Sequence, residues 1–459
     1  MPAIHWFRRD LRLADNPALL AAVSDGPDVV GLYVLDARLW STAGLPRLVY
    51  LLRSLRALDE STGGRLLVRR GDPRTVVPEV VRSTGASSVH VAAAYEPYGR
   101  RRDDEVERAL AGLDVPLVRT GSPYVVSPGQ LMTRTGTPFQ VFTPFRTAWL
   151  EHGWRAPARS GDAVTWADAG PTEPLPPEPD LEGLVLPPAG ERAAVARWAA
   201  VRDGPLAEYA TERDRPDLDT TSRLSVALRW GELHPRTLLA DIAGLAGPEL
   251  TGTDSGPATF RSQLAWRDFH ADVLHHHPGA RTRSLREVVP EDSWASADEE
   301  STALAAWAAG RTGYPLVDAG MRQLRAEGWM HNRVRMVTAS FLVKDLHVRW
   351  QRGAEHFMRW LADGDIAQNQ LNWQWVAGTG RDAAQYVRIF NPVTQGLRFD
   401  PEGAYVRRWV PELRAVPGRA VHEPWLLPPG AAPGYPARMV DHAVERQVAL
   451  AAFDRLRRA

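Results

Sequence analysis

Hydrophobic and polar positions fall into two regimes along the chain. In the first, short apolar runs alternate with amphipathic stretches. Ala3–Phe7, Val29–Val34, Leu66–Arg69 and Ser88–Ala93 read as strands, and Pro17–Val23, Arg47–Thr62, Thr75–Thr84 and Arg101–Leu113 as helices. Strand and helix repeated at this spacing predict an α/β domain built on a doubly wound parallel sheet. No Gly-x-Gly-x-x-Gly follows the first strand, so the ordinary dinucleotide fingerprint is absent. From about residue 127, Gly, Pro, Ser and acidic residues dominate, and Pro171–Pro188 is especially rich in proline. That stretch reads as a surface connector with little regular structure. From Arg192 onward apolar residues recur at spacings of three and four, as in Ala303–Ala309, Tyr314–Glu327, Asn332–Trp350 and Gly353–Ala362. The expected organisation is an α/β domain over 1–126, a linker over 127–191 and an all-α domain over 192–459.

Composition narrows the picture. The 459 residues include no cysteine, which removes disulfides, thiol catalysis and thiolate metal sites together. No run of about 18 apolar residues is present and the first residues lack a secretory pattern, so no membrane association and a cytoplasmic location are expected. The formal net charge is zero, so a nucleic-acid-binding role requires positive charge gathered on one face. Lys344 is the only lysine. Arginine suits bidentate phosphate contacts, although a high-GC genome is the more ordinary reason for such a bias. Seventeen tryptophans outnumber both Tyr and Phe; most tryptophans are core residues, but this stock invites a search for stacking or electron-transfer roles.

Three runs carry candidate chemistry. Thr221-Ser222-Arg223-Leu224-Ser225 combines hydroxyls, amides and a guanidinium that can cradle phosphate, while a plain helix cap is the commoner meaning. On one helix, Asn332, Arg335 and Met336 fall within a turn, placing an amide, a guanidinium and a thioether side by side. Taken alone, they read as half-buried polar residues. Asp363-Gly364-Asp365 with Asn369 and Trp373-Gln374-Trp375 offers carboxylates that can pair with Arg335, or simply caps at a helix connection. No histidine stands at ligand spacing in this turn, so no metal is expected.

Together these runs make a pattern. The chain resembles the DNA photolyase/cryptochrome family over essentially its whole length, through Thr312 to Leu324 and Asn332 to Trp350 above all. Supporting segments are Trp6-Phe7-Arg8-Arg9-Asp10-Leu11-Arg12 with Asp15-Asn16-Pro17, Tyr209 ahead of Thr221–Ser225, Trp266-Arg267-Asp268-Phe269, Trp373-Gln374-Trp375 and Arg388-Ile389-Phe390-Asn391-Pro392. Within the family the wording is closest to bacterial class I cyclobutane pyrimidine dimer photolyases.

The resemblance implies that the helical domain holds FAD noncovalently. Tyr209 and Thr221, Ser222, Arg223, Leu224 and Ser225 would hold its phosphate and ribitol part, and Phe260 and Arg267 would line the pocket. Arg335, Asp363 and Asp365, with Asn332, would contact isoalloxazine and adenosine, and Asn369 would face the reactive ring nitrogen. A neutral amide there accommodates the anionic reduced flavin, whereas a carboxylate favours protonation of that nitrogen. The implied reaction is light-driven electron transfer from reduced FAD to a flipped-out cyclobutane pyrimidine dimer, ring splitting and return of the electron. Trp266 and Trp375 would pack on the dimer, replacing lost base stacking, with Asn332 and Met336 on its bases. Trp373, Trp350 and Trp294 would relay electrons as the proximal, middle and distal members of a chain. Arg213, Arg333, Arg388 and Arg398, with Gln395, would contact the DNA.

Gln263 departs from the dimer-photolyase pattern, which has Glu at this place, and matches (6-4) photolyases instead; Asn332 and Met336 point the other way. Tyr95-Glu96-Pro97-Tyr98-Gly99-Arg100 resembles the loop that borders an antenna chromophore, for which 8-hydroxy-5-deazaflavin is favoured over folate. The rival readings are a cryptochrome-like photoreceptor, disfavoured because the chain stops soon after 441–458, and a (6-4) photolyase. A monomer acting on UV-damaged DNA is expected.

Overall fold

A computed structural model describes residues 1–158, 164–245, 252–382 and 388–458. The chain divides into two compact units, the first comprising Met1–Leu181, Pro187–Ala210 and Ser222–Pro278, the second Glu182–Leu186, Thr211–Thr221 and Gly279–Ala459.

The first unit is built on five parallel strands: β1 (Ala3–Phe7), β2 (Val29–Asp36), β3 (Leu67–Gly71), β4 (Ser88–Val91) and β5 (Leu117–Arg119), in the order β3-β2-β1-β4-β5. β1 and β2 are buried along their whole length, which is why they appear as continuous apolar runs and not as alternating ones. The helices fall where periodicity places them, over Pro17–Asp25, Leu45–Ser61, Pro73–Thr84 and Pro97–Ala111, the third closed by left-handed Gly85. The short strand β5 escapes the sequence reading, because three residues are too few to show a period.

The stretch 127–191 is more ordered than its composition predicts. It contains the helix Phe142–His152, whose Phe142, Phe145 and Trp149 are buried. Their i, i+3, i+7 spacing is an apolar stripe that the surrounding Gly and Pro obscured. Further on, Thr165 and Ala167 bond to Val29, and the Trp166 ring lies so close to Gly31 that a Cβ there would meet it at 2.9 Å.

The compact units do not follow the boundary at residue 192. The helix Gly256–His276 belongs to the sheet-bearing unit, where Phe142 stacks on Trp266 at 3.8 Å between ring centroids and Phe145 meets Phe269 at 5.2 Å. Asp268, buried in the same place, accepts from Val126 N at 2.9 Å and Trp149 Nε1 at 3.0 Å. Burial pushes its carboxyl group up to about 6.

The second unit is helical, over Ala297–Ala308, Pro315–Glu327, Asn332–Lys344, Trp350–Trp360, Ile366–Ala377, Pro392–Phe399 and His442–Arg458 among others. Its core joins Trp307, Val317, Met321, Phe341, Trp350 and Trp373. The expected continuous helical segment Asn332–Trp350 is corrected: the helix ends at Lys344, His347 adopts φ +52°, and Trp350 starts the next helix. Leu346 N and Val348 N fold back onto the carbonyls of Phe341 and Leu342, closing the turn. Apolar spacing alone does not register such a break. No helix among the described residues is long and apolar enough to cross a membrane.

Lys344 is buried in this unit, with Nζ donating to the Ala377 carbonyl at 2.7 Å and lying 4.1 Å from the centre of the Phe453 ring. Burial pushes its amine down to about 7. A folded-state pKa below the unfolded value means that between about 7 and about 10.4 the unfolded chain binds a proton the folded one lacks, so stability rises with pH across that window. Lys344→Met is expected to stabilise the protein near pH 7 and to flatten this rise. Denaturant midpoints at pH 7 and 9.5 check it; equal slopes in the two proteins would refute the assignment.

Candidate functional site

In the second unit the candidate residues gather on three consecutive helices and the turn between two of them. Arg335, on the helix Asn332–Lys344, pairs with Asp363 at 2.8 and 3.3 Å through both terminal nitrogens, and its Nε donates to the Met330 carbonyl at 2.8 Å. The Asp363 carboxylate is almost fully buried, so this fork-to-carboxylate pair fixes the turn against the helix. Asp365 instead caps the helix Ile366–Ala377, accepting from Ala367 N at 2.9 Å and Gln368 N at 3.1 Å. The pairing and capping roles open to this turn thus divide between its two carboxylates.

One turn into that helix, Asn369 is buried, and its amide nitrogen donates to the Ala354 carbonyl and to Gln370 Oε1, both at 2.9 Å. Both amide hydrogens are thereby committed, which leaves its carbonyl oxygen as the remaining polar atom. Asn332 and Met336 adjoin at the start of the helix Asn332–Lys344, with Nδ2 and Sδ 3.8 Å apart. Asn332 is exposed and Met336 half-buried.

The three relay candidates differ in depth. Trp373 is buried with its indole N–H unpartnered, against Phe357 at 5.0 Å and Trp307 at 6.1 Å between centroids. Its ring presses on Gly353, where a Cβ would come within 2.2 Å of it. Gly353 is one turn along the helix from Trp350, whose buried ring donates from Nε1 to Ser284 Oγ at 3.1 Å. Trp294 is half-buried, at the end of the turn Glu291–Ser293, with the guanidinium of Arg349, Trp350's neighbour in sequence, 5.7 Å from its ring centre. Trp307 and Gly353 were not anticipated: nothing local distinguishes them from other core and small residues.

Trp375 is half-buried and donates from Nε1 to the Asp382 carbonyl at 3.2 Å. Of the expected DNA contacts in this unit, Arg333 pairs with Asp214 at 2.6 Å and lies over the Phe399 ring, and Arg213 approaches the same carboxylate at 3.9 Å. One carboxylate therefore offsets two of the expected cations. Arg388 and Arg398 are exposed, next to the rings of Phe390 and Phe399, and Gln395 has a buried Oε1 without a partner.

In the first unit, Phe260 is a core ring between Trp198 and Tyr209, at 5.4 and 5.3 Å. Arg267 is a structural clamp, donating to the carbonyls of Pro123 at 2.8 Å and Leu228 at 3.1 Å beneath the Tyr124 ring. Along 221–225 the backbone turns at Arg223 (φ +52°), Ser222 O accepts from Arg197 Nε, and Leu224 is the N-cap residue of Ser225–Trp230 without a side-chain cap. Ser222 Oγ accepts from Leu224 N at 3.4 Å, so a hydroxyl of this run braces the turn that leads into the helix. Gln263 and Trp266 lie one turn apart on their helix, both half-buried, and among the described residues Gln263 Nε2 donates only to the Thr259 carbonyl, at 3.4 Å. One face of the Trp266 indole is covered by Phe142.

The family model for DNA photolyase matches residues 3–162, and that for the FAD-binding domain of DNA photolyase matches residues 260–455. A deoxyribodipyrimidine photo-lyase of Streptomyces griseus is 43% identical over 99% of both chains. The chain belongs to the DNA photolyase family. Among solved members of the photolyase and cryptochrome fold, a bacterial class III photolyase from Agrobacterium tumefaciens superposes with a TM-score of 0.90 at 36% identity, covering 100% of this chain and 98% of the other. A cryptochrome from Synechocystis follows with a TM-score of 0.88 at 28% identity, over 98% and 99%. Both halves of the family architecture are therefore present, and half-buried Arg335 with the buried Asp363 and Asn369 sits in the half matched by its FAD-binding model.

Proposed function

We propose that this protein is a light-driven DNA repair enzyme that splits cyclobutane pyrimidine dimers with FAD, acting as a cytoplasmic monomer on UV-damaged DNA. The observation that carries the reading is the contact of exposed Asn332 with Met336 at the start of a helix whose Arg335 is locked to buried Asp363. An amide beside a thioether fits a pyrimidine, the amide meeting a carbonyl or imide edge and the thioether the apolar ring face.

The residues fit FAD by their own chemistry. Trp373 offers a buried, unpartnered indole N–H, and Asn369 has its hydrogens held away from any ligand. When bound in its reduced form, FAD supplies the photoexcited electron that opens the dimer. The chain's part is positioning and electrostatics. Arg335 and Asp363 hold the flavin-facing turn rigid, and Asn369 presents a neutral oxygen where a carboxylate would favour protonation of the ring nitrogen. Trp373, Trp350 and Trp294, graded from buried to half-exposed, carry an electron inward from the surface. Tyr209 and 221–225 are assigned to the phosphates and ribitol. Trp375 and Trp266 are assigned to base stacking, the latter prepositioned by Phe142. Gln263 is assigned to the lesion bases, where its amide donates a hydrogen bond but delivers no proton. An antenna, 8-hydroxy-5-deazaflavin before folate, is assigned beside Tyr95–Arg100; this segment, which runs into the first turn of the helix Pro97–Ala111, lies past the carboxyl end of β4, where strand order reverses.

Blue-light repair of oligonucleotides carrying one cyclobutane or one (6-4) lesion, with the flavin chemically reduced, tests the reading. Repair confined to the cyclobutane lesion, and faster in Gln263→Glu, is expected, by up to about tenfold if one charge-assisted hydrogen bond of about 1.4 kcal/mol is gained at the barrier. Repair of the (6-4) lesion alone would refute it in favour of the assignment that Gln263 suggests. No repair of either lesion by a flavin-loaded protein would indicate a photoreceptor.

A further inference from the structure

We infer that Arg286 and Arg381, with Arg281 and Arg283 beside them, form a phosphate-binding patch that grips the DNA backbone next to the lesion-stacking Trp375. The inference rests on the repair reading above and adds residues to which that reading gives no role.

All four belong to the second unit, at the C-terminal end of the helix Ile366–Ala377. Arg286 is tied to the turn that closes this helix, its backbone N donating to Thr379 O at 3.1 Å and its Nε to Gly378 O at 2.8 Å. Gln374 fastens the same strand of chain, accepting from Leu285 N at 2.9 Å and donating to Arg283 O at 3.2 Å. Arg381 stands two residues beyond Thr379, and its neighbour Asp382 supplies the carbonyl that anchors Trp375. The same short turn therefore holds the indole and the guanidiniums. Arg281, Arg283 and Arg286 are exposed, and Arg283 lies over Gly279, with Nη2 2.9 Å from where a Cβ would stand.

The charge is unbalanced. Among the described residues none of these four arginines makes an ion pair, and adjacent Glu287 pairs with none of them. This differs from Arg213 and Arg333, which share Asp214. Arg381 keeps a buried Nε without a hydrogen-bond partner, and partial burial, with repulsion from Arg286 second, disfavours its charge. Like charges held together without a counter-ion cost stability unless an anion relieves them. Four cations carried on two short segments held at one helix end suit the successive phosphates of a strand.

The test is binding of duplexes with and without a cyclobutane dimer to the flavin-loaded protein, across a salt series. For Arg286→Gln/Arg381→Gln the slope of log affinity against log salt is expected to shrink by about one unit per arginine, equally on both duplexes. Arg414→Gln, on an exposed arginine elsewhere, should leave it unchanged. If loss of the Arg286 anchor impairs folding, Arg381→Gln alone, which removes no hydrogen bond to the turn, should still lower the slope by about one. A wild-type protein that repairs the dimer, with an unchanged slope in the variants, overturns the patch. A wild-type protein that does not repair overturns the underlying reading and with it the patch's place beside a lesion.

Discussion

Trp373→Phe is expected to reduce photoreduction of the bound flavin to background while leaving repair by chemically reduced protein nearly intact. The indole is buried against Gly353 and Phe357, and Gly353 puts it within one helical turn of Trp350. Phenylalanine keeps one aromatic ring in the site but leaves a small cavity, at a packing cost of about 1–2 kcal/mol, toward the low end for large-to-small core changes. What is lost is the readily oxidised ring and an N–H that has no partner among the described residues. Transient absorption of tryptophan radicals under blue light, followed by a repair assay after dithionite reduction, separates the two effects. Photoreduction at the normal rate would remove Trp373 from the relay and direct attention to Trp307, 6.1 Å away.

Arg335→Ala should be the most damaging single change at the turn that carries Asp363 and Asp365. It leaves the Asp363 carboxylate, only 3% exposed, without its partner. Breaking a buried pair by removing one side costs about 3 kcal/mol or more, because an uncompensated charge remains. It also frees the Met330 carbonyl and loosens the turn from which the helix Ile366–Ala377 starts. Purified variant is therefore expected to retain little flavin and to show a denaturant midpoint well below that of the wild type. Arg335→Lys should recover only part of this, since an ammonium cannot reproduce the two-pronged contact. Flavin occupancy from the absorbance ratio and the unfolding curve check the prediction. A variant that holds flavin normally would show that the Arg335–Asp363 pair is not part of its support.

The two expectations have a common origin. Helix starts here bring the candidate side chains together: Asn332, Met336 and Arg335 lie at one helix start, and Asp365 caps the helix that presents Asn369, Trp373 and Trp375. A helix repeats every 3.6 residues, so neighbours on such a face follow from their spacing alone. The same holds for the parallel strands, whose full burial on both faces leaves an apolar run bounded by turns.

The sequence by itself determined the fold class, the strand–helix alternation, the helical second half and the family, because these rest on local periodicity and on runs of residues in fixed order. It also placed Asn332 beside Met336 and Arg335 within reach of Asp363. Only the tertiary structure decided the rest. It ended the helix at Lys344, showed Phe142 beneath Trp266, joined the helix Gly256–His276 to the sheet-bearing unit and committed Arg267 to two carbonyls. It also divided the roles of Asp363 and Asp365, left Arg286 and Arg381 without a carboxylate partner among the described residues, and set Gly353 against Trp373. Each of these depends on contacts between residues far apart in the chain, or on which hydrogen bonds a backbone turn happens to leave open. Neither leaves a period in the sequence from which it could be read.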